Sequence, residues 1–287
     1  VRYSTAASRE LPGGASLVAL VEGTHVPELS FLRELWLAGG RGGRQNGYVL
    51  RRVEAIDPGR AAASFEFKVD QIEGRRVGGA TVFNATFDDP DGEKAAVLER
   101  LKGRFARTAA LERANLLLAF HGCSEAVADS ICCNGFASVA TRDNGYFGNG
   151  IYLTTCAQYA CEYANGMIDG ATVAPNANGE HVVVASWVVP GLTYPLSRAV
   201  DYAPGVNVGG TLCSNFYQTP PAGPLALKPP FDAHYVAVQR GEYQCVDGLR
   251  NGHVPDYDEL VLGEAQQALP AFRLYFTEPS VAGLAIN

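Results

Sequence analysis

Three short segments carry the residue types that could do chemistry. Leu118-Ala119-Phe120-His121-Gly122 ends an apolar run in an imidazole and a glycine. Such an ending places a histidine at a cleft edge, beside backbone that no side chain covers. Gly148-Asn149-Gly150-Ile151-Tyr152 sets glycines ahead of an aromatic-bearing strand, where a ligand can approach the backbone closely. In Tyr257-Asp258-Glu259-Leu260-Val261-Leu262 a carboxylate, Glu259, opens an apolar strand. If that strand is central, Glu259 sits beside a cleft rather than in bulk water. Singly, each segment has an ordinary structural reading: a satisfied core histidine, a hairpin turn, a solvated acid at a strand start. The glycines do not make a phosphate loop, because no GxGxxG follows a strand and no GxxxxGK[ST] occurs.

The elements that must hold these residues follow from periodicity. Asn115–Phe120 is a continuous apolar run too short for a helix, which predicts a buried strand ending at His121-Gly122. Ser124–Cys133 reads as a helix closed by Asn134-Gly135. Asn144 to Gly150 is a glycine loop, with Tyr146 inside it, and Ile151-Tyr152-Leu153 begins a strand. Ala157–Ala164 reads as a short helix and His181–Val189 as a second buried strand. Further strands are predicted at 48–54, 62–69 (Phe65, Phe67 and Val69 alternate), 234–239, 259–262 and 271–277. Helical spacing marks 26–37 and 93–107. Gly39–Arg44 is a turn or linker, and 197–231 is Gly/Pro-rich and irregular, a length that inside a compact domain is usually functional. Many short strands with few short helices predict an α+β fold, organised as an N-terminal extension (1–47) and a catalytic region (48–287).

Composition narrows the function. Apolar residues make up 47% and charged residues 18%, enough for a packed core. A net charge of −7 argues against a surface built to hold nucleic acid through its phosphates. The least acidic stretch, around Lys102, Arg104, Arg107 and Arg113, reads as a solvated helix face. No apolar run is long enough to span a membrane, and no signal-peptide pattern is present. Seven cysteines without CxxC spacing predict reduced, buried thiols rather than a metal site, and an intracellular setting, cytoplasmic or nuclear.

Together the three motifs resemble the catalytic domain of poly(ADP-ribose) polymerases, tankyrases included. That family shows a strand ending in His-Gly, a Gly-x-Gly-Ile-Tyr strand, and a late Glu followed by a Gln-x-x-Pro turn. Here these are His121-Gly122, Gly148–Tyr152, and Glu259 with Gln267 and Pro270, and a further tyrosine, Tyr163, falls eleven residues after Tyr152. The spacing is similar to that of tankyrase, and the resemblance runs from about 50 to 277. It implies two packed, mainly antiparallel sheets flanked by short helices, NAD as substrate, no metal, and a protein acceptor, the chain itself included. Glu259, His121 and Tyr152 would be the catalytic set. Gly122 would hold the nicotinamide carboxamide through its backbone, Tyr163 would stack on the nicotinamide ring and Tyr152 would close its other side. His121 would bond the adenosine ribose 2′-OH and Glu259 the nicotinamide ribose 2′-OH. Ala160 and Tyr146 complete the expected contacts.

The chemistry agrees with that assignment. Breaking the nicotinamide–ribose bond builds positive charge on the ribose, which a preplaced carboxylate stabilises. Nicotinamide departs neutral, so no strong acid is needed. A Glu at this place accompanies chain elongation in the family and permits polymer here. Two departures stand out. A Ser that bonds the carboxamide in many members is Ala160 here, so nicotinamide-like inhibitors should bind less tightly unless water or Thr155 substitutes. Cys123 stands where Ser or Thr is common, a small neutral filler. Nothing before His121 resembles the family's long helical autoinhibitory domain, which predicts activity without a DNA-break signal. The rival readings are mono-transfer or NAD glycohydrolysis with the same residues, and an inert module that holds NAD or ADP-ribose.

Overall fold

A computed structural model describes residues 8–11, 15–38, 47–59, 61–76, 87–105, 116–137, 145–166, 173–202, 207–208, 211–217, 226–240 and 245–278. In chain order the elements are β1 (Ser8–Glu10), β2 (Ser16–Ala19), α1 (Val26–Leu37), β3 (Val49–Asp57), α2 (Ala61–Arg76), α3 (Glu93–Phe105), β4 (Leu117–Cys123), α4 (Glu125–Asn134) and β5 (Ile151–Leu153). There follow α5 (Ala157–Ala164), β6 (His181–Val188), β7 (Thr193–Pro195), α6 (Arg198–Asp201), a small hairpin of β8 (Asn207–Val208) and β9 (Thr211–Leu212), β10 (Ala233–Val238), β11 (Tyr257–Leu262) and β12 (Ala268–Thr277).

Two sheets hold the molecule together. The larger runs β1-β2-β3-β12-β6-β4, antiparallel throughout. The smaller runs β5-β11-β10-β7, with only the β10–β7 pair parallel. This is an α+β fold of two mainly antiparallel sheets with short helices around them. β6 shows why a continuous apolar run was needed. Val182, Val184 and Val188 face the smaller sheet, packing among Leu153, Leu260, Leu262 and Tyr235. Val183 and Ala185 face the opposite way, toward α1 and α5. A strand covered on both sides cannot alternate with polar residues.

The first strands and helix are not peripheral to this core. β2 pairs with β3, and Leu29, Leu32, Leu35 and Trp36 of α1 pack against Ala157, Ala160, Cys161 and Ala164 of α5. The Gly39–Arg44 run lies outside the described residues, as do Arg107, Arg113 and Asn144.

One predicted strand is a helix. Residues 62–69 lie within α2, where Phe65, Lys68, Val69 and Ile72 are buried while Phe67 is 71% exposed. The spacing three and four apart prevails because Phe65, Val69 and Ile72 meet Val189, Trp187 and Leu269, and because Lys68 ion-pairs with Glu264 at 2.7 Å. The alternation of Phe65, Phe67 and Val69 was coincidental. All seven cysteines are free thiols. Burial pushes the Cys123 thiol up to about 12, so it behaves as a neutral filler. Among the described residues no helix is long and apolar enough to cross a membrane.

Candidate active site

The site forms where the two sheets part. β5 pairs with β11 from Ile151–Leu262 to Leu153–Leu260. The next residue, Thr154, turns to the other sheet and exchanges both backbone hydrogen bonds with Phe120 of β4, at 2.7 and 2.9 Å. Glu259, next along β11, and His121-Gly122, next along β4, border a cleft of about 410 Å³, and α5 supplies Tyr159, Ala160 and Tyr163.

Alternation along β4 decides what each residue offers. Leu118, Phe120 and Gly122 share one side of the strand, and Leu118 and Phe120 pack in the cluster that contains α5. At Gly122 that helix comes so close that a Cβ would lie 1.8 Å from the Ala160 carbonyl oxygen, so only glycine fits. Because the backbone groups of Phe120 point away from β6 to Thr154, those of Gly122 point the same way, along the cleft side of the strand. His121 takes the other side, with its ring edge-on to Phe136 at 5.5 Å. Its Nδ1 lies 2.9 Å from the Tyr152 carbonyl, which can only accept. Nδ1 therefore carries the proton and Nε2 is the acceptor. Burial pushes the His121 pKa down despite that bond, so the ring is neutral.

The glycine loop is closed by the tyrosine that follows it. The Tyr152 hydroxyl accepts from the Phe147 N–H and donates to the Gly148 carbonyl, both at 2.8 Å. Its ring, rather than its hydroxyl, is what the cleft receives. Gly148 sits at φ 110°, a conformation that favours glycine. Tyr146 lies in the same loop. Its ring packs on Phe147 and Tyr217, at 5.0 and 5.5 Å.

On β11 two adjacent acids go separate ways. Glu259 is only 5% exposed, and its Oε1 accepts from the Tyr159 hydroxyl at 2.5 Å and the Tyr163 hydroxyl at 3.4 Å. Asp258 is fully buried on the opposite face, with Leu260 and Leu262. It accepts from the Thr154 hydroxyl, from the Thr155 N–H and hydroxyl, and from Tyr235. Arg104 and Arg100 of α3 stand at 3.4 and 3.8 Å. Burial raises the Asp258 carboxyl, but Arg104, Arg100 and the Thr155 bonds outweigh it and hold it below the ordinary 3.8.

Three expectations are corrected here. β11 begins at Tyr257, so Glu259 lies within the strand rather than opening it. The Arg104 side chain is 11% exposed and turned onto Asp258, not part of a solvated face. Thr155 spends its hydroxyl on Asp258 at 2.5 Å and does not border the cleft, so it does not replace the side chain missing at Ala160.

Residues 96–189 match the family model of the poly(ADP-ribose) polymerase catalytic domain. The chain carries an ADP-ribosyltransferase catalytic domain of this type. The match indicates an NAD-dependent ADP-ribosyltransferase, and enzymes with this domain use NAD as substrate without a metal cofactor. The match takes in β4, α4, β5, α5 and β6, and so His121, Gly122, Tyr152, Ala160 and Tyr163 of the transferase, and ends well before Glu259. No curated protein matches the chain at a significant level. Among the described residues no group of three or more His, Cys, Asp or Glu could hold a metal ion.

Two residues of the site escaped sequence reasoning. Tyr159 touches Glu259 directly, and its signal was available: it lies four residues before Tyr163 on a predicted helix, hence on the same face. Asp258 was hidden beside a more conspicuous acid, although strand alternation places neighbours on opposite faces. The Gln267-x-x-Pro270 turn also has a physical role. The Gln267 amide accepts from Glu264 N–H at 2.9 Å and donates to the Val189 and Pro190 carbonyls at 3.2 Å, tying the end of β11 to the end of β6.

Proposed function

We propose that Glu259, His121 and Tyr152 form the catalytic set of this transferase and that it transfers ADP-ribose from NAD to protein acceptors, itself included, with capacity to elongate chains. The observation that carries the reading is the convergence on one cleft of a buried carboxylate, a neutral imidazole, a bare backbone edge at Gly122, and two tyrosine rings from different elements.

In this reading the nicotinamide lies between the rings of Tyr152 and Tyr163, with its carboxamide on the N–H and C=O of Gly122. His121 accepts the adenosine ribose 2′-OH at Nε2, in keeping with the tautomer that the Tyr152 carbonyl imposes. The nicotinamide ribose 2′-OH donates to Glu259. The C–N glycosidic bond breaks with its electron pair leaving on neutral nicotinamide, and the carboxylate of Glu259 stabilises the positive charge left on the ribose. An acceptor hydroxyl held in line then bonds to the ribose carbon, and Glu259 takes its proton. Tyr146 belongs to this reading only as a support of the glycine loop through Phe147.

The test is incubation with labelled NAD of the wild type beside Glu259→Gln, with a denaturing gel and a nicotinamide assay. A high-mass smear that collapses in the variant supports elongation through Glu259. A discrete band in the wild type means mono-transfer, and nicotinamide without labelled protein means glycohydrolysis. Absence of release from the wild type overturns the reading.

A further inference from the structure

A short contact to Glu259 comes from a residue with no part in the reading above. Tyr159 is completely buried, and its hydroxyl donates to Glu259 Oε1 at 2.5 Å. Tyr163, whose ring is assigned to the nicotinamide, reaches the same oxygen only at 3.4 Å, with its hydroxyl 3.2 Å from that of Tyr159. Tyr159 is also held from behind. Its ring stacks on Tyr257 at 4.5 Å and 13°, the Tyr257 hydroxyl donates to Glu162 at 2.8 Å, and Glu162 pairs with Arg240 at 3.1 Å. A phenol fixed by a stack and aimed at one carboxylate oxygen restricts how that carboxylate can turn.

We propose that Tyr159 is a positioning residue of the transferase, one that holds the Glu259 carboxylate in the orientation from which it meets the nicotinamide ribose. The proposal rests on the reading of Glu259 as the catalytic carboxylate. In that reading Tyr159 bonds the carboxylate rather than the substrate. It acts through Glu259, in two ways. A hydrogen bond donated to a carboxylate stabilises its charged form, so Glu259 stays ionised to lower pH than it would without the phenol. A fixed carboxylate also loses no reorganisation when charge develops beside it. Burial, with the neighbouring negative charge, keeps the phenol protonated, so it remains a donor across the working range. Among the described residues, other titratable groups on the elements around Glu259 are Tyr163 on α5, His121 on β4, Tyr152 on β5 and Tyr257 on β11 itself. The β10 residue opposite Glu259 is apolar Val236. None of these donates to Oε1 as closely as Tyr159.

The experiment measures kcat and KM for nicotinamide release against pH in the full chain, for the wild type, Tyr159→Phe and Glu259→Gln. Tyr159→Phe keeps the stacked ring and removes only the hydroxyl. It should lower kcat about tenfold or more, in line with a hydrogen bond to a charged group. It should leave the KM for NAD within about twofold and move the acid limb of the kcat profile up by about one pH unit. Tyr159→3-fluorotyrosine, installed at this site alone, makes the phenol a stronger donor of the same shape and should move that limb down. The fluorinated chain answers the question by itself if the phenylalanine variant does not fold. An acid limb that stays fixed in the variants overturns the proposal, as does a loss confined to KM. If Glu259→Gln retains wild-type release, it is the assignment of Glu259 that fails, an outcome distinct from a silent Tyr159.

Discussion

Asp258 and Glu259 are consecutive, carry the same charge and are both buried, yet β11 sends them into opposite surroundings. Asp258 faces the core between the sheets and is saturated, with two hydroxyls, an amide N–H and a phenol as donors and two guanidinium groups as counter-charge. Glu259 faces the cleft, where the Tyr159 and Tyr163 hydroxyls donate to it. A carboxylate neutralised by arginine has little attraction left for a cationic transition state, whereas phenol donors orient Glu259 without cancelling its charge, as the proposed assignment requires. On the proposed assignment, the difference teaches that structural and chemical acids on one strand are told apart by what shares their face.

The comparison can be broken in four ways. Asp258→Ala leaves Arg100 and Arg104 without their buried counter-charge and should cost about 3–5 kcal/mol of stability, read from urea unfolding. Its pH dependence has a definite sign. The folded-state carboxyl is held below 3.8, so its contribution is complete above that value and is lost as the pH falls through the folded pKa. The wild type should therefore weaken below about pH 4 more steeply than the variant. Glu259→Gln should do the reverse, leaving the urea midpoint in place while nicotinamide release drops by about a hundredfold to a thousandfold. A variant at 259 that unfolds, or one at 258 that stays stable and merely slow, would reverse the two roles. Tyr152→Phe removes both ties that close the glycine loop. It should cost about 1–3 kcal/mol and raise the KM for NAD, by calorimetry and initial rates. The smallest effect belongs to Ala160→Ser, which offers the carboxamide a hydroxyl worth about 0.5–1.5 kcal/mol. Nicotinamide should then inhibit at lower concentration, and an unchanged inhibition constant would dispose of that idea.

Much of this arrangement was legible beforehand, for reasons particular to each element. β4 and β6 are covered on both faces, so their apolar runs are unbroken and admit no other reading. α5 matched its predicted span, Ala157–Ala164, because its small and apolar residues face both the sheet and the cleft. α2 was misread because Phe67 is an exposed aromatic that mimics strand alternation, and the decisive fact, Lys68 reaching Glu264, is a contact between residues far apart in the chain. The same holds for Arg104 on Asp258 and for Thr155: which partner a polar side chain selects is decided by tertiary approach, invisible in local spacing. His121 and Gly122 stand at the end of a strand whose type was clear, whereas Tyr163, inside α5, was named only through the family resemblance; the structure brings both segments to one cleft with Tyr152 and Glu259. Tyr146 stands in the glycine loop, and its ring packs on Phe147 and Tyr217.

The Phe120–Thr154 seam has one more consequence. A sheet edge is a row of alternating donors and acceptors, and past the seam β4 presents one peptide unit whose natural neighbour has departed. On the proposed assignment, a primary amide fits there because it carries the same pair of groups that a strand residue would offer, and the substrate is read as one more rung of a ladder. An acid in place of the amide has no N–H for the Gly122 carbonyl and sets its own negative charge against that oxygen. The chain should thus tell nicotinamide dinucleotides from their nicotinic acid counterparts with backbone alone, a form of selectivity that side-chain substitution cannot easily erode.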